Sequence, residues 1–317
     1  MSSHVRLCAF VVAWLVVAAT AVVSTTAQTR PSPPLPEVTV EAPRPPTPEE
    51  LAGHAVSDFI VAHAAPAFSG QLARWGVGRD PGICPLTVGL SPSFNDFVSA
   101  RVLAVAETVG APIQAGRCTH NVYIIFATDP QKALADMVKQ NEQLLGFHYP
   151  AQTSDLERIT HPIQGWYVTT THGAWAGETI DEAIPVLPLW NPRDIFSNAR
   201  QPDGLAGSRL GSDMSSGIIN VLIIADAKKM VGRPIGAIAD YVAVLTLSQP
   251  YKSELCGTLP SITDFMLANC HEREKLTGIT AGDLAFLRAL YKADIEAVLP
   301  LERSDINNIM MRQFHRP

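Results

Sequence analysis

The sequence predicts a layered fold of helices on a sheet, of the α/β or α+β class. Three observations carry this. NVYIIFAT (Asn121 to Thr128) and IINVLIIA (Ile218 to Ala225) are continuous apolar, β-branched runs of buried-strand type. Each leads into a stretch with helical spacing, and further helical patterns flank the pair.

In chain order, folding is expected to begin at Thr47-Pro48-Glu49-Glu50. Thr47 caps, Pro48 suits a first helical turn, and Glu50 completes a capping box. Leu51, Ala55, Phe59 and His63 then share one helical face, closed by Pro66, and His63 reads as a hydrogen-bonded core histidine. Phe94, Phe97, Val98, Val102, Val105 and Val109 keep helical spacing ahead of the first buried strand. Asp129-Pro130 caps the helix after it, whose stripe is Leu134, Met137, Val138 and Leu145, with Met137 as core filling. IQGWYVTTT (Ile163 to Thr171) reads as a third strand whose aromatics line a core or a groove.

Residues 201–217 hold four glycines and four serines in seventeen positions, a loop that is either functional or disordered. Beyond the second buried strand come a helix from Pro234 to Ser248 and a cysteine-bounded loop. A helix capped by Thr280 and Asp283 follows, with Leu284, Leu287 and Leu290 inward and Pro300 after its end.

The N-terminus sets the compartment. Arg6 precedes a charge-free apolar run from Leu7 to Val23, and Ser24-Thr25-Thr26-Ala27 gives a small-residue exit. This is the pattern of a secretory signal over residues 1–27, cleaved after Ala27. The run is 17 residues long, slightly short of a comfortable membrane span, so the rival reading is an uncleaved anchor. Cys8 lies inside the run, not at its exit, and does not read as a lipid-attachment site. Residues 28–46 form a Pro-rich, extended and disordered linker: eight of the eighteen residues from Pro31 to Pro48 are proline. The length of the mature chain suits one large domain or two small ones, and the remainder after the linker, 47–317, is assigned to one globular domain.

Without the signal the chain carries 23 basic and 30 acidic residues, a net charge of −7. That balance, with no Lys/Arg block, excludes an electrostatic footprint for nucleic acid. A membrane partner is expected only through the signal segment if it stays uncut. Four cysteines remain: Cys84, Cys118, Cys256 and Cys270. They allow three pairings, and closure of local loops favours 84–118 with 256–270. In a periplasmic or secreted protein these are structural disulfides, each worth about 2–4 kcal/mol.

Standard catalytic patterns are absent: no G-x-x-x-x-G-K, G-x-S-x-G, S-x-x-K or H-E-x-x-H occurs. In HEREK, Lys275 stands where a second ligand histidine would follow His271, and a bridged Cys270 is no nucleophile. His172, Glu178, Asp181 and Glu182 gather in one segment, but at no metal-ligand spacing, and read as a solvated polar loop. No cofactor and no metal are expected.

The last third holds a sequence of landmarks. The strand IINVLIIA precedes IGAIADYVAVLTLSQ (Ile235 to Gln249), then Pro260-Ser261-Ile262, then LTGITAGDLAFLRALYK (Leu276 to Lys292). This order, over residues 218–292, resembles the metzincin peptidases, in which a strand precedes an H-E-x-x-H helix, an S-I-M turn follows, and a closing helix ends in L-Y. It resembles still more closely an uncharacterised family of exported Gram-negative bacterial proteins with the same degenerate ending. The resemblance implies an α+β, zincin-like mixed sheet with packed helices. Carried over by position, it sets Ala239 and Ala243 where ligand histidines would stand, Asp240 at the catalytic glutamate, and Thr263 at the turn methionine. No histidine lies between His172 and His271, so no shift of register restores the ligands. A zinc ion needs about three protein ligands.

Asp240, Tyr241 and His172 are the candidate cleft residues, with Asp240 and Tyr241 either a relic polar site or a hydrogen-bonded structural pair. The leading expectation is an exported, non-catalytic pseudo-enzyme that binds a peptide or envelope protein in its old cleft. A hydrolase with an atypical site at Asp240, Tyr241, His172 or the acidic segment is the second. A structural factor of the envelope, held by an uncut signal, is the third. Sequencing the mature N-terminus separates the last from the others: Gln28 is expected, whereas an intact Met1 in the membrane fraction would establish the anchor.

Overall fold

The computed structural model describes residues 43–67, 70–78, 82–140, 145, 156–173, 177–180, 214–251 and 256–315, with Leu35, Val38 and Val40. The signal segment, its cleavage site, Asp181, Glu182 and residues 201–213 lie outside the described residues.

Six strands form one mixed sheet: β1 (Ala73–Arg74), β2 (Pro85–Val88), β3 (Val122–Ala127), β4 (Ile163–Gly173), β5 (Gly177–Ile180) and β6 (Met214–Asp226). The order is β2-β3-β6-β4-β5. β2 and β3 run parallel to β6, and β4 is antiparallel to both β6 and β5. The short β1 joins β6 parallel at Ser216 and Gly217, ahead of the stretch Val221 to Asp226 that β3 occupies. A bulge between Val168 and Thr169 leaves Ile219 of β6 as the extra residue. The second buried run is therefore longer than its apolar letters: Met214 to Gly217, expected within a loop, is strand. Backbone pairing with β1 and β4 on both sides satisfies its polar groups despite the serines and glycine.

Seven α-helices are described: α1 (Ala55–His63), α2 (Pro92–Val109), α3 (Pro130–Gln140), α4 (Ala227–Met230), α5 (Ile235–Leu247), α6 (Ala281–Leu290) and α7 (Leu299–Phe314). The two faces of the sheet are unequal. Val122, Ile124 and Phe126 of β3, with Val221, Ile223 and Ala225 of β6, point into the main core shared with α1, α2, α5, α6 and α7. Leu222, Ile224 and Trp166 point the other way, onto Leu134 of α3 and Leu145. Strands buried on both faces read as unbroken apolar runs, which is why β6 was legible. With most helices gathered on one face of a sheet that includes antiparallel strands, the fold is α+β. Among the described residues no helix is long and apolar enough to cross a membrane.

Local signals act where expected, with one displacement. Thr47 N–H donates to Glu50 (2.7 Å) and Glu50 N–H to Thr47 Oγ1 (3.3 Å), completing the box. The regular helix nevertheless starts only at Ala55, because Gly53 takes a left-handed φ of 62° and ends that first turn. The linker does not pass clear of the folded part: Leu35, Val38 and Val40 pack against the main core, and Arg44 makes two hydrogen bonds to Glu50. Both disulfides close locally, Cys84–Cys118 and Cys256–Cys270, with Cα atoms 6.0 and 5.5 Å apart.

The C-terminal helix is held by a buried ion pair. Arg74 of β1 bonds Glu302 of α7 and the carbonyls of Leu290 and Ala293, while Glu302 also accepts the Leu72 amide at 3.2 Å. Burial pushes the Glu302 carboxyl up to about 7, against the pull of Arg74.

Candidate functional site

Helix α5 is the axis of the candidate site, and its residues are almost all inside. Its sequence, IGAIADYVAVLTL, has no charged residue but Asp240, so every face finds apolar neighbours. Ala239 and Ala243 have no exposed surface. Asp240 is 1 % exposed and bound on all sides: Arg101 Nε donates at 2.5 Å and Nη2 at 3.0 Å, and the Ile279 amide donates at 2.7 Å. Arg101 comes from α2, where it interrupts the apolar stripe, and the sequence reading passed over it. Gly278 makes this approach possible, since a Cβ there would lie 2.7 Å from Asp240 Oδ2. Asp240 and Tyr241 are therefore not a hydrogen-bonded pair; the acid's partner is an arginine 139 positions away.

The turn after the cysteine loop carries a second buried network. Ser261 caps the 3-10 turn Ile262–Met266, its hydroxyl accepting the Thr263 amide at 3.1 Å and donating to Asp283 Oδ1 at 2.6 Å. Asp283, in the capping box of α6, also accepts the amides of Ile262 and Thr280 at 2.9 Å. Burial pushes its carboxyl up, and His63, Ser261 and those amides pull it back down. His63 joins from α1: Nδ1 faces the Phe59 carbonyl at 2.8 Å and must donate, while Nε2 meets the hydroxyls of Ser261 (2.9 Å) and Thr263 (3.0 Å). Burial holds the imidazole below its ordinary pKa, against the pull of Asp283 and the Phe59 carbonyl. The expected core histidine is thus a joint between α1, the turn and α6.

Two cavities flank α5. The first, about 530 Å³, lies over Arg101 and Asp240, with Arg44 of the proline stretch, Arg273 and the start of α6 in its wall. The second, about 440 Å³, lies between α1, the start of β4 and α5. Phe59, Tyr167, Tyr241 and Tyr251 line it, along with Thr263 and Asp264. Gly165 gives Tyr167 its place: a Cβ at Gly165 would lie 2.9 Å from the Tyr167 hydroxyl, which donates to the Leu245 carbonyl at 2.8 Å. Asp264 is 5 % exposed; Oδ2 accepts the Ser261 amide at 3.1 Å. Burial raises its carboxyl to about 7. Burial likewise pushes the Tyr241 phenol up, with Asp264 adding to the effect.

The three candidate cleft residues are not brought together. Asp240 lines the first cavity, Tyr241 the second, and His172 neither. Successive helical residues point about 100° apart, which is how one pair reaches opposite sides. His172 sits at the far end of β4, its ring packed over Gly78, whose φ of 72° and missing Cβ make the room. It is paired in register with Glu178 on β5, and its Nε2 is 3.1 Å from Thr170 Oγ1. Cys270, next to His271, is bonded to Cys256, and His271 lies at the surface against Glu274. Cys84, Cys118 and His120 form a compact group, with its two sulfurs joined to each other. Ala239 and Ala243 offer no metal donor, and the acid between them is committed to Arg101.

Sequence reasoning missed Arg101, Asp264 and Gly165. An arginine on an otherwise apolar helical stripe was the one usable signal, because a buried arginine requires an acid.

Two variants check this description. Asp240→Asn strands the Arg101 guanidinium and should lower stability by about 3–5 kcal/mol in urea unfolding. A carboxyl raised in the folded state adds stability at low pH that is lost as pH rises from about 4 to 7. Asp264→Asn should therefore be the more stable protein above pH 7, by on the order of 2 kcal/mol, with the advantage vanishing near pH 4. Paired unfolding curves from pH 4 to 8 measure it.

Comparison with protein-family models, with curated proteins and with solved structures finds no match to this chain.

Proposed function

We propose that this chain is an exported, non-catalytic protein with a zincin-like plan that binds a peptide or protein partner in a cavity beside its former active-site helix. The observation that carries the reading is α5 itself. Where the metzincin pattern sets ligands facing a cleft, this helix has two alanines without exposed surface and an acid held by three hydrogen bonds. Metal-assisted hydrolysis needs about three protein ligands and an open coordination position, and neither alanine supplies a ligand. The landmark order from β6 through α5 and the Ser261 turn to α6 supports the kinship, since the elements follow in the sequence the resemblance implies.

A periplasmic or secreted location is supported by two disulfides and the apolar N-terminal run. The binding role is supported by the second cavity, whose size and mixed lining of aromatic, aliphatic and a few polar side chains suit a ligand or an inserted side chain.

Metal analysis of purified protein tests the proposal. No stoichiometric zinc should be found, and chelator should leave the melting temperature unchanged, because a bound structural or catalytic metal contributes folding free energy. One tightly held zinc per chain would overturn the pseudo-enzyme reading.

A further inference from the structure

We infer that the cavity between α1, the start of β4 and α5 recognises an ammonium group, gripped by Asp264 and the Tyr241 hydroxyl within aromatic walls. The inference rests on reading the chain as a binding protein and names the chemistry of what is bound.

Unused hydrogen-bonding capacity comes first. Buried tyrosines in this protein find partners: Tyr167 donates to the Leu245 carbonyl and Tyr291 to that of Leu247. Tyr241 is 6 % exposed, yet its hydroxyl bonds to nothing among the described residues. The same holds for Asp264 Oδ1, since the Ser261 amide takes only Oδ2. Both residues line the same cavity, so these two groups are free to bond what enters it.

Charge then narrows the chemistry. The described lining carries two carboxylates, Asp58 and Asp264, and no lysine or arginine. Its two histidines are already engaged: His63 through both nitrogens, and His161 with Thr160. A phosphate or carboxylate ligand meets repulsion here. Burial disfavours the Asp264 carboxylate, which Arg273 pulls down only in part, and a cation entering the cavity stabilises it. An ammonium group matches both free atoms, donating to Asp264 Oδ1 and to the Tyr241 oxygen. Aromatic rings attract cations through their quadrupoles, and Tyr167 and Tyr251 stand in this wall beside Phe59, which is stacked on His63. The first cavity has three arginines in its wall, of which Arg44 is paired with Glu50 and Arg101 with Asp240.

A small free amine and the terminal or lysine amine of a peptide share this chemistry, and the experiment separates them. The mature protein is titrated by calorimetry with benzylammonium, benzyl alcohol, a phenylalanyl dipeptide and its N-acetylated form. Benzylammonium should bind at least about tenfold tighter than benzyl alcohol, the worth of one charge-assisted hydrogen bond. Binding of the free but not the acetylated dipeptide identifies a peptide amine as the source; binding of benzylammonium alone identifies a small amine. Asp264→Asn should lose at least about tenfold in affinity while its unliganded melting temperature at pH 8 does not fall. A residue with only a structural role would show the reverse. Tyr241→Phe, which keeps the ring, should lose several-fold and serves as the second variant.

Equal binding of alcohol and ammonium, an unchanged affinity in Asp264→Asn, or no binding of any amine overturns the inference. In the last case the cavity holds water alone. A zinc-bearing chain would instead end the pseudo-enzyme reading without altering amine affinity, so the two failures are distinct.

Discussion

One buried acid, Asp240, organises the helical layer. Arg101 reaches both oxygens of Asp240 from α2, and the Ile279 amide adds a third hydrogen bond at Oδ2. Such a pair contributes little net stability compared with apolar residues of the same volume, yet it is costly to break. Its value lies in position. It sets the contact of α2 with α5 and draws the chain before α6 up to the same point, where only a glycine at 278 fits. From there the polar connections continue: Asp283 at the start of α6 holds Ser261, and Ser261 meets His63 of α1. Four helices are thus tied by groups that must all be satisfied together, which selects one packing out of many equally apolar ones.

The same arrangement explains why two dissimilar cavities flank one helix. Asp240 faces the side reached by Arg101, Arg273 and Arg44, whereas Tyr241 faces the side bounded by α1 and β4. The polar residue on each side has a different fate. Asp240 is fully paired and inert, while Asp264 and Tyr241 keep capacity for a partner at a cost in stability. Proteins commonly accept such costs where they bind.

Much of the fold was legible because it depends on local rules. The boundaries of α5 follow Pro234 and Ser248, the box at Thr280 and Asp283 forms as written, and the cysteines close the two short loops. The long strand β6 was only half seen: its apolar second half announces burial, but Met214 to Gly217 joins the sheet by pairing with β1 and β4, which no local pattern encodes. The site was less legible for the same reason. Arg101 and Asp240 are 139 positions apart, Arg74 and Glu302 are 228 apart, and each looks like a surface charge in its own segment. Asp264 was hidden by its role as a cap residue. Asp240 and Tyr241 were singled out as neighbours in sequence, although adjacency on a helix means facing different ways.

The central strand has a consequence in time. β6 pairs with β1, β3 and β4, so it is the strand that all but β2 and β5 lean on, and it is the last of the six to be synthesised. Until residue 226 has been made, β2 and β3 have one edge open and β4 lacks its main partner. Pairings of such long sequence separation form slowly, because loop closure precedes their reward. The pairs β2–β3 and β4–β5 therefore wait as separate pieces with open edges, and assembly of the sheet is gated by the arrival of a single segment.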